Sequence, residues 1–256
     1  MTEHTNRQFA ADLEAVRSQF LSMGGLVETM IQDAVEALQT GDLSLVEKVR
    51  EHEREVNRHE VEIDERIGLL IARHQPTAVD LRTLLSVSKM LTDMERCGDE
   101  AEKIAKVARR LHEANTLYEP VVELRHMARD VSLMIRNMLD SFARNDPVAA
   151  ATVVRSDKEV DKEWKAALRH MVTYMIEDPR SISKSVELVF IARALERIGD
   201  HAKNMAERVI YLVRGDDVRH TGLKYTERAA RGELESGESP RGDGLRSSTS
   251  GEGPSA

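Results

Sequence analysis

One cysteine, Cys97, stands in 256 residues, so no internal disulfide can form and a reducing, cytosolic compartment is expected. Aromatic residues make up only 4% of the chain, which leaves Leu, Ile, Val and Met to fill the interior, as they do in helical cores. No run of about 18 apolar residues is present to cross a bilayer, and the start lacks the basic-then-apolar pattern of an export signal. Basic charge is not in excess either. The formal net charge of -8 opposes non-specific attraction to nucleic acid or to an anionic membrane, so no nucleic-acid partner is expected, although a local basic patch can still exist. Metal ions and basic protein surfaces are better matched partners.

Catalytic signatures are missing as well. There is no Walker-type phosphate loop, no Gly-x-Ser-x-Gly elbow and no Cys-x-x-Cys pair, so nothing supplies an activated nucleophile. What remains is a soluble globular composition, 32% charged and 41% hydrophobic.

The most informative feature present is a five-residue word that occurs twice. Glu95-Arg96-Cys97-Gly98-Asp99 returns as Glu196-Arg197-Ile198-Gly199-Asp200, 101 residues later. At an offset of 104, Leu38 to Asp42 falls on Phe142 to Asp146 and Val56 on Val160, and Pro76 matches Pro179 at 103. Repetition over this length means duplicated domains with loops absorbing the shifts.

Each half reads as three helices, over about 8–39, 42–74 and 78–115, then 120–144, 146–177 and 180–214. Thr40-Gly41-Asp42 and Asn145-Asp146-Pro147 end one helix and cap the next. Thr77-Ala78-Val79-Asp80 resembles a capping box, and Asp178-Pro179 places an N-cap before a first-turn proline. Long helices joined by short turns pack antiparallel, so the expected fold is all-α: two tandem three-helix bundles, residues 1–117 and 118–221. From 222 to 256 the sequence dissolves into Gly, Ser, Glu and Arg and reads as a disordered tail. His220, past the last helix of the second bundle, is a candidate for docking that end.

At about 100° per residue, Leu188, Ile191, Leu195, Ile198, Ala202, Met205, Val209 and Val213 form one apolar stripe. Val87, Met90, Met94, Cys97, Ala101, Ile104 and Ala108 match it in the first half, with His112 after them. Glu196 and Asp200, like Glu95 and Asp99, fall roughly 130 to 170° from that stripe and are expected to face away from it. Glu and Asp at i and i+4 share a helix face and can chelate one cation between them. A solvated acidic face is the ordinary reading of such a pair. Core positions differ between the repeats, however, while the outward Glu, Arg, Gly and Asp are identical.

The second helix of each half carries a companion pair, Glu53/Asn57 and Asp157/Asp161, roughly 60 to 100° from its own stripe. Two helices can therefore offer three or four oxygen ligands to one metal or cluster. Oxygen-only ligation suits hard cations, and bridging carboxylates suit iron or manganese. Salt bridging is the competing reading. Arg96 and Arg197 either pair with nearby acids such as Glu100 or Glu207, or hold an anion such as phosphate beside a metal. Gly98 and Gly199 each cost a helix up to about 1 kcal/mol against Ala, which implies close helix approach or room for a ligand. The paired Glu-x-x-His ligands of ferritin-like di-iron proteins are not found at these words.

The ordered set of Met23 to Glu28, Gln75 to Arg82, both Glu-Arg-x-Gly-Asp words, Met171 to Asp178 and Gly215 to His220 resembles the PhoU family of phosphate-uptake regulators. The resemblance runs from about residue 8 to 221. It implies tandem three-helix bundles with pseudo-twofold symmetry, often assembled as a homodimer. It also implies that Glu53/Asn57, Glu95/Asp99, Asp157/Asp161 and Glu196/Asp200 are ligands for multinuclear iron, zinc, manganese or another divalent metal. Asn57 departs from the acidic pattern, and an amide brings no charge, so a weaker first-half site is expected. Partners implied are the cytoplasmic subunit of a phosphate ABC transporter and a phosphate-sensor histidine kinase. The chain would act on them at the cytoplasmic membrane face to repress the phosphate-starvation response, without catalysis. A carboxylate-bridged metalloenzyme and a purely structural bundle are the alternatives.

Overall fold

The computed structural model describes residues 2–114 and 122–234. The first half holds α1 (Thr2–Thr40), α2 (Leu43–His74) and α3 (Ala78–Glu113), and the second α4 (Val122–Arg144), α5 (Pro147–Glu177) and α6 (Ile182–Arg214). Among the described residues the fold is all-α, two three-helix bundles in sequence, and the expected helices occur within a few residues of their expected ends. The expected bundle boundary at 117/118 lies outside the described residues.

Side-chain capping sets most of the turns. Asp42 accepts from the Ser44 amide at 2.9 Å, and Asp146 from the Val148 and Ala149 amides at 3.0 Å with Pro147 in the first turn. Asp178 also caps, accepting from the Arg180 amide at 3.0 Å, but it opens a single 3-10 turn, Pro179–Ser181, before α6 begins at Ile182. At Thr77 the expected capping box does not form. No side chain closes that end, and Ala78 takes a left-handed φ of 48° that turns the chain into α3.

The apolar stripes are core, with Leu188, Ile191, Leu195, Ile198, Met205 and Val209 buried in α6 and Val87, Met90, Met94, Cys97 and Ile104 in α3. These two helices are buried more broadly than a single stripe requires. Besides packing within its own bundle, α3 packs along α6, and α1 packs on α4, so both bundles share one continuous core. Contacts fix the direction: Arg82 donates to the Leu212 carbonyl at 3.0 Å while Arg110 holds Glu187, so α3 and α6 run antiparallel about a pseudo-twofold.

The α1–α4 contact has an aromatic centre. Phe20 meets Phe142 edge-on with ring centroids 5.1 Å apart, and Arg17 lies over Phe142 while donating to its carbonyl at 3.0 Å. Gly24 lets α1 come close: a Cβ there would stand 2.3 Å from Leu139 Cδ2.

One stretch departs from the expected tail. Leu223–Arg231 forms a seventh helix, α7, which buries Thr226, Ala229 and Ala230 against α5 and α6. Arg214 donates to the Ala230 carbonyl at 3.1 Å, and Arg155 pairs with Glu227. The polar composition concealed three small residues gathered on one helix side. The rest of the expected tail, 235–256, lies outside the described residues. His220 does not dock the end of α6, since it is exposed, and Val218 is the buried residue of that loop.

Replacement Gly24→Ala is expected to destabilise the fold by about 1–3 kcal/mol through overpacking against Leu139. In denaturant melts, Leu139→Ala in the same chain should cost less than it does in wild type, because the two side chains then no longer compete for one space.

Candidate carboxylate sites

The two words meet at the centre of the molecule. Cys97 Sγ of the first lies 4.0 Å from the Ile198 carbonyl of the second, and burial pushes that thiol well above its ordinary range. Gly98 faces Val56 of α2, where an added Cβ would stand 3.4 Å from Cγ1, and Gly199 faces Val160 of α5 at 3.3 Å. Of the two roles expected for these glycines, close helix approach is the one seen. It draws α2 onto α3 and α5 onto α6, carrying each companion pair toward its word.

In the second half the carboxylates are not on a solvated face. Asp157 is only 5% and Glu196 only 7% exposed, with Asp161 and Asp200 half-buried. The helical projection measured direction from the bundle's own seam and took no account of α5 covering that side of α6. Burial raises the carboxyl of Asp200, and Asp157 and Asp161 raise it further against the pull of Lys203. Glu196 is raised first by burial, then by Asp200, with Arg193 opposing. One Glu196 oxygen, Oε2, is buried without a hydrogen-bond partner.

The first-half set is more open. Glu53, Glu95 and Asp99 are half-buried, whereas Asn57 is exposed and turns its amide onto Glu53. Burial, then Asp99, then Glu60 raise the Glu95 carboxyl. Glu60, one turn beyond Asn57 on α2, thus belongs to this acidic field, and its own carboxyl is raised chiefly by burial. Its one signal in the sequence is its place three residues beyond Asn57, which extends the face of the companion pair by a turn.

Carboxylates of the two helices in each pair thus share one field, Glu53 acting on Glu95 and Asp157 and Asp161 on Glu196 and Asp200, while Asn57 takes no part in it. In the described residues, however, no group of three or more His, Cys, Asp or Glu side chains is arranged to hold a metal ion. Internal cations already occupy several of these carboxylates. Lys203 donates to Asp157 Oδ2 at 2.7 Å across α5 and α6, Arg193 pairs with Glu196, and Arg96 lies 3.6 Å from Glu95.

Lys203 was missed in the sequence, although the repeat marks it: its counterpart 101 residues earlier is Glu102. Burial of a cation lowers its pKa, yet the Asp157 carboxylate raises that of Lys203 overall. Of the two roles open to Arg197, pairing with an acid is the one seen, and it crosses to the other half, 3.0 Å from Glu100, which is 3% exposed and also takes Lys103 at 3.0 Å. His201 bonds Asp93 across the same seam at 2.9 Å.

Fold and sites together define a class: an internally duplicated helical scaffold with matched carboxylate sets on its two inner helix pairs. The chain belongs to the PhoU family, whose domain matches residues 20–108 and again 124–209. It is 51% identical over 224 residues, 88% of both chains, to a Pseudomonas putida protein called phosphate-specific transport system accessory protein PhoU homolog. The Escherichia coli phosphate-specific transport system accessory protein PhoU is 40% identical over 223 residues, 87% of this chain and 92% of that one.

Two solved structures share the fold. The crystal structure of PhoU from Pseudomonas aeruginosa superposes with a TM-score of 0.79 at 50% identity, covering 81% of this chain and all of that one. The phosphate transport system regulatory protein PhoU from Streptococcus pneumoniae superposes with a TM-score of 0.75 at 28% identity, covering 82% and 99%.

Near the second-half set, burial lifts the Glu207 carboxyl to about 7, with Lys203 and Arg208 opposing and Asp157 and Asp217 adding to it. A carboxyl raised on folding contributes stability that is complete below its ordinary value and is lost as pH rises through the folded value. Unfolding free energy should therefore fall from about pH 5 to about pH 7.5, by at most ~1.4 kcal/mol per pH unit for this one proton. Glu207→Gln should flatten that fall in melts across the same range.

Proposed function

We propose that the chain is a non-catalytic regulatory accessory of a phosphate transport system, limiting uptake and helping a sensor histidine kinase repress the phosphate-starvation response. What carries this reading is the match along nearly the whole chain to relatives named as accessory proteins of phosphate-specific transport. The cytoplasmic subunit of the phosphate ABC transporter and the kinase are the proposed partners, met at the inner face of the membrane, and a homodimer is the proposed assembly. No helix of the described residues is long and apolar enough to cross a membrane, which fits peripheral association through partners.

The carboxylate sets are proposed metal sites: Glu53, Asn57, Glu95 and Asp99 in the first half, Asp157, Asp161, Glu196 and Asp200 in the second. The residues fit a hard cation such as ferric iron or manganese, with zinc, which also accepts carboxylate, a softer third choice, because the donors are oxygens and Glu196 Oε2 is a buried acceptor without a partner. A bound metal would supply positive charge where carboxylates raise one another's pKa, tying α2 to α3 or α5 to α6.

Charge favours the opposite order of the halves to the one expected from Asn57, even with Arg96 3.6 Å from Glu95. Lys203 already neutralises Asp157, whereas the first half adds Glu60 and has Glu102 at the position matching Lys203. The first-half set is the stronger proposed site.

Metal analysis of protein purified without chelator should show content that falls in Glu196→Ala/Asp200→Ala and falls further in Glu95→Ala/Asp99→Ala. Lys203→Met should raise second-half affinity for added Mn²⁺ about tenfold, read by calorimetry. Equal content in wild type and both double variants would end the metal proposal.

Deletion and complementation test the regulatory role separately. Loss of the gene should switch a phosphate-starvation reporter on in high phosphate, and the wild-type gene should silence it. Repression that persists without the gene would refute the role.

A further inference from the structure

We propose that the cleft between the second half of α3 and the first half of α6 is a docking groove for an acidic amphipathic helix of a partner protein. The cleft encloses about 400 Å³. Its floor is apolar, built from Ile104, Val107, Ile191 and Ala194. Five cations line it, Lys103, Lys106, Arg110, Arg193 and Arg197, against one carboxylate, Glu100. With Glu102, Glu187 and Glu196, which pair with three of these cations, five positive groups meet four negative ones, a slight positive excess in a chain of net charge -8.

The cations are positioned rather than loose. Arg110 is held by Glu187, Lys106 by Glu102, Arg193 by Glu196, and Lys103 and Arg197 share Glu100. Each nevertheless leaves about half of its side chain in solvent, so a second acidic group can be met without rebuilding the groove.

At the mouth stands Phe190, a large apolar side chain 60% exposed. It continues a line of exposed apolar residues, Ile182 and Val186, at intervals of four along α6. That spacing forms a stripe along one side of the helix, the complement of the apolar stripe on an amphipathic helix laid beside it. A cationic rim around an apolar track selects a helix with acidic flanks, and the acidic remainder of the chain repels the same ligand elsewhere.

The duplication supplies an internal comparison. The pseudo-twofold carries this cleft onto the opposite end of the same helix pair, where the backbone repeats and, of the five cations, only Arg197 keeps a basic counterpart, Arg96. Lys103, Lys106 and Arg110 correspond to Asn204, Glu207 and Tyr211, while Arg193 corresponds to Thr92 and Phe190 to Lys89. Helix packing alone does not produce the basic track, since the matching surface packs equally well without it.

The test is fluorescence anisotropy of a labelled synthetic helix, with Leu and Phe on one face and Glu on the other, titrated with the full chain. Saturable binding is expected, weakened about tenfold or more by Phe190→Ser and by Lys106→Glu, and by raising salt from about 0.05 to about 0.5 M. Lys89→Glu, on the matching surface, should leave it unchanged, and a helix with Lys in place of Glu should not bind.

No saturation, or affinity indifferent to Phe190→Ser, overturns the proposal. Three competing occupants would overturn it in other ways. A dimer that sediments as monomer only after Phe190→Ser would assign the groove to a second copy. Displacement of the helix by millimolar inorganic phosphate would assign it to a small anion. Vesicles of anionic lipid that bind wild type and not Lys106→Glu would assign it to a membrane.

Discussion

The antiparallel contact of α3 with α6 is the constraint on which the rest of this structure depends. Both bundles close on these two helices, which are consequently buried on their inner faces and covered again by α2 and α5 on their flanks. Little space is left where the flanking helix crosses, and Gly98 and Gly199 sit there against Val56 and Val160. The same crossing moves the carboxylates of the words out of water and beside those of the companion pairs. Packing and electrostatics are thus set by one contact, and the energetic cost of desolvating acids is the direct result of how closely the helices approach.

Internal cations then decide what those acids can do. Lys203 on Asp157 and Arg193 on Glu196 lower the negative field of the second half, while the first half keeps a larger share of uncompensated carboxylate. A duplicated scaffold has in this way produced two unlike sites from one arrangement of helices.

Much of this was legible in the chain itself. Helices, caps and core stripes arise from periodicity and from residues such as Asp42, Asp146 and Pro147, because local sequence determines them. The grouping of Glu53 with Glu95 and of Asp157 with Glu196 was also readable, since each requires only the spacing along two helices. What could not be read depended on neighbours distant in sequence. Burial of Glu196 needs α5 in place, Arg197 finds Glu100 in the other half, and the close seat of Gly24 exists only because Leu139 arrives from α4. Composition misled at 223–231, where Thr226, Ala229 and Ala230 bury a short helix inside a polar stretch. Thr77 misled differently: the capping pattern is present, but the left-handed turn at Ala78 directs the chain another way.

The pair between Arg197 and Glu100 has a consequence beyond holding two helices together. In a dimer of identical subunits an isologous contact must be made twice, so any residue placed on one side of the axis is placed on the other as well. Here the partners are joined in one polypeptide, and the position matching Glu100 is His201, which meets Asp93 instead. Tethering has released the contact from self-complementarity. A substitution on one side of this axis is felt once, which lets the two ends of the seam carry different charged residues.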